Sequence, residues 1–150
     1  MKTLLTSILW LSSLNTYAAD LVTSQELSAW ISGTGSSVEH IETLNPQSLS
    51  LLRSTITSIN SMDHANGGLG QFGFQIQPAQ VAIGTAESPV AWLVRFSGTA
   101  TSQLFDKDQG CADATVSIGG RAMINVDSSV KKVIMIETIN TQMSDWGNCL

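Results

Sequence analysis

The stretch Asp63-His64-Ala65-Asn66-Gly67-Gly68-Leu69-Gly70-Gln71-Phe72-Gly73-Phe74-Gln75-Ile76 marks the point where the chain changes its hydrophobic period. Upstream, Leu49, Leu52, Ile56 and Ile59 recur at intervals of 3, 4 and 3 residues, the single apolar stripe of an amphipathic helix. Downstream, Phe72, Phe74 and Ile76 alternate with Gly73, Gln75 and Gln77, as in a strand with one wet face. The glycines between the two patterns make a flexible connector. Helices before this point and strands after it imply an α+β domain.

On the helical side, Asn45 is placed to cap a helix whose first position is Pro46, where a missing N–H costs nothing. The face opposite the stripe is mostly Ser, Thr, Gln and Asn, with Arg53 its only charge. Such residues are mediocre helix formers, so this helix depends on docking across a sheet. Further upstream, Thr23 and Glu26 have capping-box spacing ahead of Leu27, Trp30 and Ile31, which predicts a short helix over 24–32. The run Gly33-Thr34-Gly35-Ser36-Ser37 breaks it, and residues 38–44 give neither face a clean apolar stripe.

On the strand side, Pro78 ends the first strand, and 81–85 and 90–97 read as a hairpin around Ser88 and Pro89, with Val90, Trp92, Val94 and Phe96 on one face. Residues 99–105 continue the sheet up to the loop 106–110. Gly119-Gly120, between 114–118 and 121–126, suits the positive φ angles of a tight hairpin turn. Residues 130–139 form the longest strand candidate. The expected fold is α+β, with two N-terminal helices packed on an antiparallel sheet of five to seven strands and a disulfide-closed C-terminal segment.

The N-terminus reads as a secretory signal peptide. Lys2 supplies the charged start, residues 4–14 the apolar run, and Thr16 and Ala18 the small residues before a cut ahead of Ala19. The apolar run is about 11 residues, well short of the roughly 20 that span a bilayer. Residues 1–18 are thus the expected leader and 19–150 a single domain in the periplasm or outside the cell. Loss of Lys2 with the leader leaves 6 basic against 12 acidic residues. That balance argues against nucleic acid, whose phosphates call for Lys and Arg, and disfavours an anionic membrane surface. In an oxidising compartment Cys111 and Cys149, the only cysteines, are expected to pair. On the chain-entropy model a loop of that length is worth roughly 4 kcal/mol.

Chemistry-bearing residues are sparse. His40 and His64 do not have metal-site spacing, so no metal or other cofactor is expected. Asp63 and His64 adjoin in the Gly-rich connector, and serines abound, but no G-x-S-x-G accompanies them. Asp106, Asp108 and Asp113 surround Gly110 without the Gly and Glu positions of a calcium loop. The only Tyr, Tyr17, lies in the leader, and Trp30 and Trp92 sit on apolar faces. Trp146, beside Asp145 in an irregular segment next to Cys149, is an aromatic that the disulfide can display or fold over the sheet end.

The candidate binding residues are therefore Trp146, Asp145, Asp63 and His64, and the expected partner is another protein. The leading expectation is an exported non-enzymatic interaction protein of the cell envelope, either an inhibitor or immunity-type binder or an accessory subunit of a secretion or pilus-like surface assembly. The alternative is a small hydrolase using the Asp63-His64 loop or an acidic pair such as Asp106 and Asp108. Small-ligand binding beneath the helices is a third class and requires a pocket. In layout alone, the helices, antiparallel sheet and C-terminal disulfide loop resemble pilin globular domains. The long apolar N-terminal helix through which pilins assemble has no counterpart in the sequence.

Overall fold

The computed structural model describes residues 21–34, 41–126 and 132–149. The expected leader and its cut, the break at 35–37, His40, Val130 and Leu150 lie outside the described residues. Element order is α1 (Ser24–Ser32), β1 (Ile41–Thr43), α2 (Pro46–Asn60), β2 (Gly73–Ile76), β3 (Gln80–Gly84), β4 (Pro89–Asp106), β5 (Gly110–Asn125) and β6 (Lys132–Met143). The class is α+β, with two helices and one six-stranded, mostly antiparallel sheet among the described residues.

Two features of the expected layout change. The helices are not a contiguous N-terminal pair, because β1 intervenes. β1 also runs parallel to β6, with Ile41 opposite Lys132 and Thr43 opposite Ile134, so the sheet is not wholly antiparallel. The spatial order is β1-β6-β5-β4-β2, and β3 pairs the same edge of β4 as β2.

The long β4–β5 hairpin is the frame of the molecule, with Ala91 opposite Asn125 at one end and Asp106 opposite Gly110 at the other. Its turn is built by Asp106, whose Oδ1 accepts from the N–H groups of Asp108 and Gln109 at 2.8 and 2.9 Å. Gly119 and Gly120 are not a turn. They lie inside β5, where the β5–β6 register slips, and neither has positive φ. A Cβ at Gly120 would meet the Met135 carbonyl oxygen at 2.3 Å and the Phe96 ring at 2.6 Å, so the residue is small for reasons of close approach. With the turn at 106–110 instead, 90–97 and 99–105 fuse into β4, which is longer than β6.

Period-2 alternation sorts the hairpin faces. Val94, Phe96, Ala100, Ser102 and Leu104 of β4, and Ala114, Val116, Ile118, Ala122 and Ile124 of β5, are buried on the helix side. Leu27, Trp30 and Ile31 of α1 and Leu49, Leu52 and Ile59 of α2 complete the core. Trp92 is only half-buried. The opposite face is bare among the described residues and is rich in Ser, Thr and Gln, with Arg121 reaching Glu137 at 2.6 Å.

Polar side chains fasten the two helices. The capping box forms as expected: Glu26 N–H donates to Thr23 Oγ1 at 3.1 Å and Thr23 N–H to Glu26 Oε2 at 2.8 Å. Glu26 also pairs with the Lys132 ammonium at the start of β6. Arg53 is not a solvated charge. Its Nε donates to the Ile31 carbonyl at 2.8 Å and its Nη2 to the Trp30 carbonyl at 2.6 Å, so α2 caps the C-terminal end of α1. Asn45 precedes α2 but makes no side-chain cap, because its amide is engaged with Ile136 of β6.

Candidate functional site

Three places could carry function, and each follows from how the chain closes around the hairpin. The first is the 106–110 tip. On one edge of it the connector runs beside β4: Phe105 N–H donates to Asp63 O, Ala65 N–H to Gln103 O and Gly70 N–H to Thr101 O, each at 2.9 Å. On the other edge the C-terminal segment runs beside β5, with Cys111 N–H donating to Gly147 O at 2.7 Å and Ser144 N–H to Asp113 O at 2.9 Å. The Cys111–Cys149 disulfide is formed, with a Cα–Cα distance of 5.0 Å, and fixes this second flank. A Cβ on Gly110, whose φ is +94°, would lie 2.1 Å from the Gly147 carbonyl oxygen, so the segment packs on bare backbone.

The four residues singled out from sequence therefore share one end of the sheet without sharing a cleft. Asp63 and His64 flank β4 while Asp145 and Trp146 flank β5, three strand spacings or about 14 Å apart. Trp146 is half-buried and packs on the core. Asp63 and Asp145 are exposed, as are Asp108 and Asp113, and Asp106 is half-buried in the turn. Lys107 is the only cation in the segments that form this end. Phe105, which sequence reading did not select, is 44% exposed there. Its signal was available, since it falls out of phase with the buried Leu104 in the strand alternation.

The second place is His64. Its Nδ1 lies 2.7 Å from Ser102 Oγ and its Nε2 lies 3.0 Å from the Ile59 carbonyl oxygen. A carbonyl can only accept, so the neutral ring carries its proton on Nε2 and Nδ1 accepts from the Ser102 hydroxyl. This has the form of a serine-histidine dyad, but the group that orients the imidazole is the Ile59 carbonyl and not Asp63. Ser102 is 2% exposed and faces the helix side of β4. The pair ties the end of α2 and the connector to the sheet interior.

The third place is a groove of about 730 Å³ between α1, the end of α2 and the connector. Ser24, Gln25, Ser28 and Ser32 line the α1 wall, Ile56 and Asn60 the α2 wall, and Leu69, Gln71 and Phe72 the connector side. Among the described residues no ionisable side chain lines it. Sequence reading passed over these residues, although Ser24, Ser28 and Ser32 recur every four residues along one flank of α1.

Among the described residues, no three His, Cys, Asp or Glu side chains converge in a way that could hold a metal ion. No described helix is long and apolar enough to cross a membrane. The chain matches no protein-family model, no curated protein and no solved structure.

Proposed function

We propose that the protein is an exported, non-enzymatic interaction protein of the cell envelope or exterior, and that it meets a protein partner through the hairpin-tip end. The observation that carries this reading is the grouping there of exposed Phe105 with Asp63, Asp106, Asp108, Asp113 and Asp145 against Lys107 alone. An exposed aromatic at an end dominated by one charge sign favours a partner surface that offers an apolar contact together with Lys and Arg. Both flanks of the tip are hydrogen-bonded and one is disulfide-linked, so the surface is preorganised and little ordering cost attends binding. An inhibitor or immunity-type binder and an accessory subunit of a secretion or pilus-like assembly both fit these properties. The formed disulfide agrees with an oxidising compartment.

The hydrolase alternative has weaker support. Its serine partner is buried, and the Asp106 carboxylate is engaged in closing the turn. The test is affinity capture with oxidised protein from envelope and culture fractions, repeated with Phe105→Ala and with Asp63→Asn/Asp145→Asn. A stoichiometric partner that is weakened by both variants and by added salt supports the proposal. Turnover of a cell-wall or peptide substrate that disappears in a folded His64→Ala variant would overturn it in favour of the hydrolase.

A further inference from the structure

The α1–α2 groove lies on another surface and has a different chemistry from the acidic tip. Its volume, about 730 Å³, falls within the range of small-ligand clefts. Among the described residues no acidic or basic side chain lines this cleft, so the lining seen offers its occupant hydrogen bonds and apolar contact and no charge.

The hydrogen-bonding capacity of the walls is largely unspent. Among the described residues, the side chains of Ser24, Gln25, Ser28 and Gln71 make no hydrogen bond within the protein. Asn60 accepts from Leu69 N–H through Oδ1 at 3.0 Å, which leaves both N–H donors of its amide available. The same lining includes the apolar Ile31, Ile56 and Leu69 and the half-buried Phe72 ring. Phe72 is held by stacking on Phe74, with ring centroids 5.7 Å apart and an interplanar angle of 22°.

The walls are also fixed in place. Arg53 joins α2 to the end of α1, and Asn60 and Thr101 hold the connector at Leu69 and Gly70. A cleft with fixed walls that combines neutral donors and acceptors with aliphatic side chains and an aromatic ring matches a pyranose, which presents hydroxyls at its edge and C–H groups on its face. A lipid chain would leave the lining amides and hydroxyls unpaired. An extended peptide would seek an open strand edge, and the two long walls are helices. We propose that this groove binds a neutral saccharide unit of a glycan, an activity separate from the protein-binding tip.

The test is a titration of isotope-labelled, oxidised protein with chitotriose, cellotriose and maltotriose, followed by amide NMR shifts. Saturable shifts at Ser24, Ser28 and Gln71 with at least one trisaccharide, unchanged by added salt, are expected. Ser28→Arg fills the groove and should abolish them. Gln71→Ala, an exposed connector variant that keeps the fold, should weaken binding about tenfold, the scale of one lost hydrogen bond. Should Ser28→Arg fail to fold, Gln71→Ala decides. No saturable shift at these amides with any of the three sugars, or affinity unchanged in folded variants, overturns the proposal. Neither result bears on the tip, whose binding is salt-sensitive and read with a protein partner.

Discussion

The side-chain amide of Asn45 pairs with both backbone polar groups of Ile136: Ile136 N–H donates to Asn45 Oδ1 at 3.0 Å, and Asn45 Nδ2 donates to the Ile136 carbonyl. With Leu44 N–H donating to Ile134 O at 2.9 Å, the amide extends the β1–β6 ladder by one step, just as the chain turns away into α2. Asn45→Ala leaves two part-buried backbone groups of β6 without a partner and should cost about 1–3 kcal/mol in denaturant unfolding. Asn45→Asp keeps the acceptor and loses the donor, so it should not restore stability. A change within a few tenths of a kcal/mol for both variants, the scale of a surface site, would show that the amide is dispensable.

Arg53 makes the second prediction. Its planar fork meets two successive carbonyls, Trp30 O and Ile31 O, which a single ammonium cannot span in the same way. Arg53→Lys should therefore recover less than half of the stability lost in Arg53→Ala, itself about 1–3 kcal/mol. Hydrogen exchange should locate the loss in α1, because that helix loses its C-terminal partner while α2 retains its stripe on the sheet.

Gly120 distinguishes a strand interior from a turn. Were Gly119-Gly120 a hairpin turn, Gly120→Asn would be tolerated, since Asn adopts positive φ. In the β5 interior, any Cβ at 120 is driven into the Met135 carbonyl and the Phe96 ring, so Gly120→Ala and Gly120→Asn should each destabilise by about 1–3 kcal/mol or more, the scale of overpacking. A thermal melt of the two variants beside wild type reads the difference.

The Glu26–Lys132 contact makes stability pH-dependent. Partial burial alone pushes the Glu26 carboxyl up. The Lys132 ammonium and the Thr23 backbone N–H outweigh it and hold the carboxyl below its ordinary value of 4.5. A group with a depressed native pKa binds its proton more readily when unfolded, so its contribution is fully present above 4.5 and is lost as pH falls through the lower native value. The stability advantage of wild type over Glu26→Gln should be flat near neutrality and shrink below about pH 4.5. An advantage that grew on acidification would contradict this linkage.

The part-buried serine-histidine pair is read by a double-mutant cycle. Ser102→Ala and His64→Ala each disturb the contact. The coupling between them should reach about 0.5–3 kcal/mol, the range for directly contacting residues. Additive effects would mean that the 2.7 Å contact contributes nothing beyond packing.

What sequence made legible was whatever depended on local period or local capping. The α1 boundaries followed from Thr23 and Glu26, and the α2 face from the 3, 4, 3 spacing of its apolar residues. The Cys111–Cys149 pairing followed from arithmetic. Non-local pairings were not legible. Gly119-Gly120 has the composition of a turn, and only the crossing of Phe96 and Met135 beside it shows why glycine is needed there. Arg53 stood out only as the one charge on the polar face of α2, because a helical wheel cannot reveal that another helix ends alongside it. Asn45 looked like a cap because its competing partner, Ile136, is 91 residues away. At the candidate site, the sequence marked the Asp63-His64 and Asp145-Trp146 pairs, but their common end depends on where the hairpin turns. The neutral groove left no motif because its hydroxyls come from an ordinary helix flank.

The β1–β6 ladder also bears on how the molecule is made. Among the described residues, the first strand has the last strand as its sheet neighbour, and Glu26 finds its cation 106 positions downstream. A chain emerging from its N-terminus can form α1 and α2 early, but it holds their apolar faces uncovered until the hairpin and finally β6 arrive. Assembly is thus dominated by late, long-range closure, the regime in which folding is slow and partly built sheets are prone to wrong pairing. Removing the chain from Lys132 onward would then cost far more than a frayed tail, because Lys132–Ile136 is the stretch on which β1, Asn45 and Glu26 are anchored.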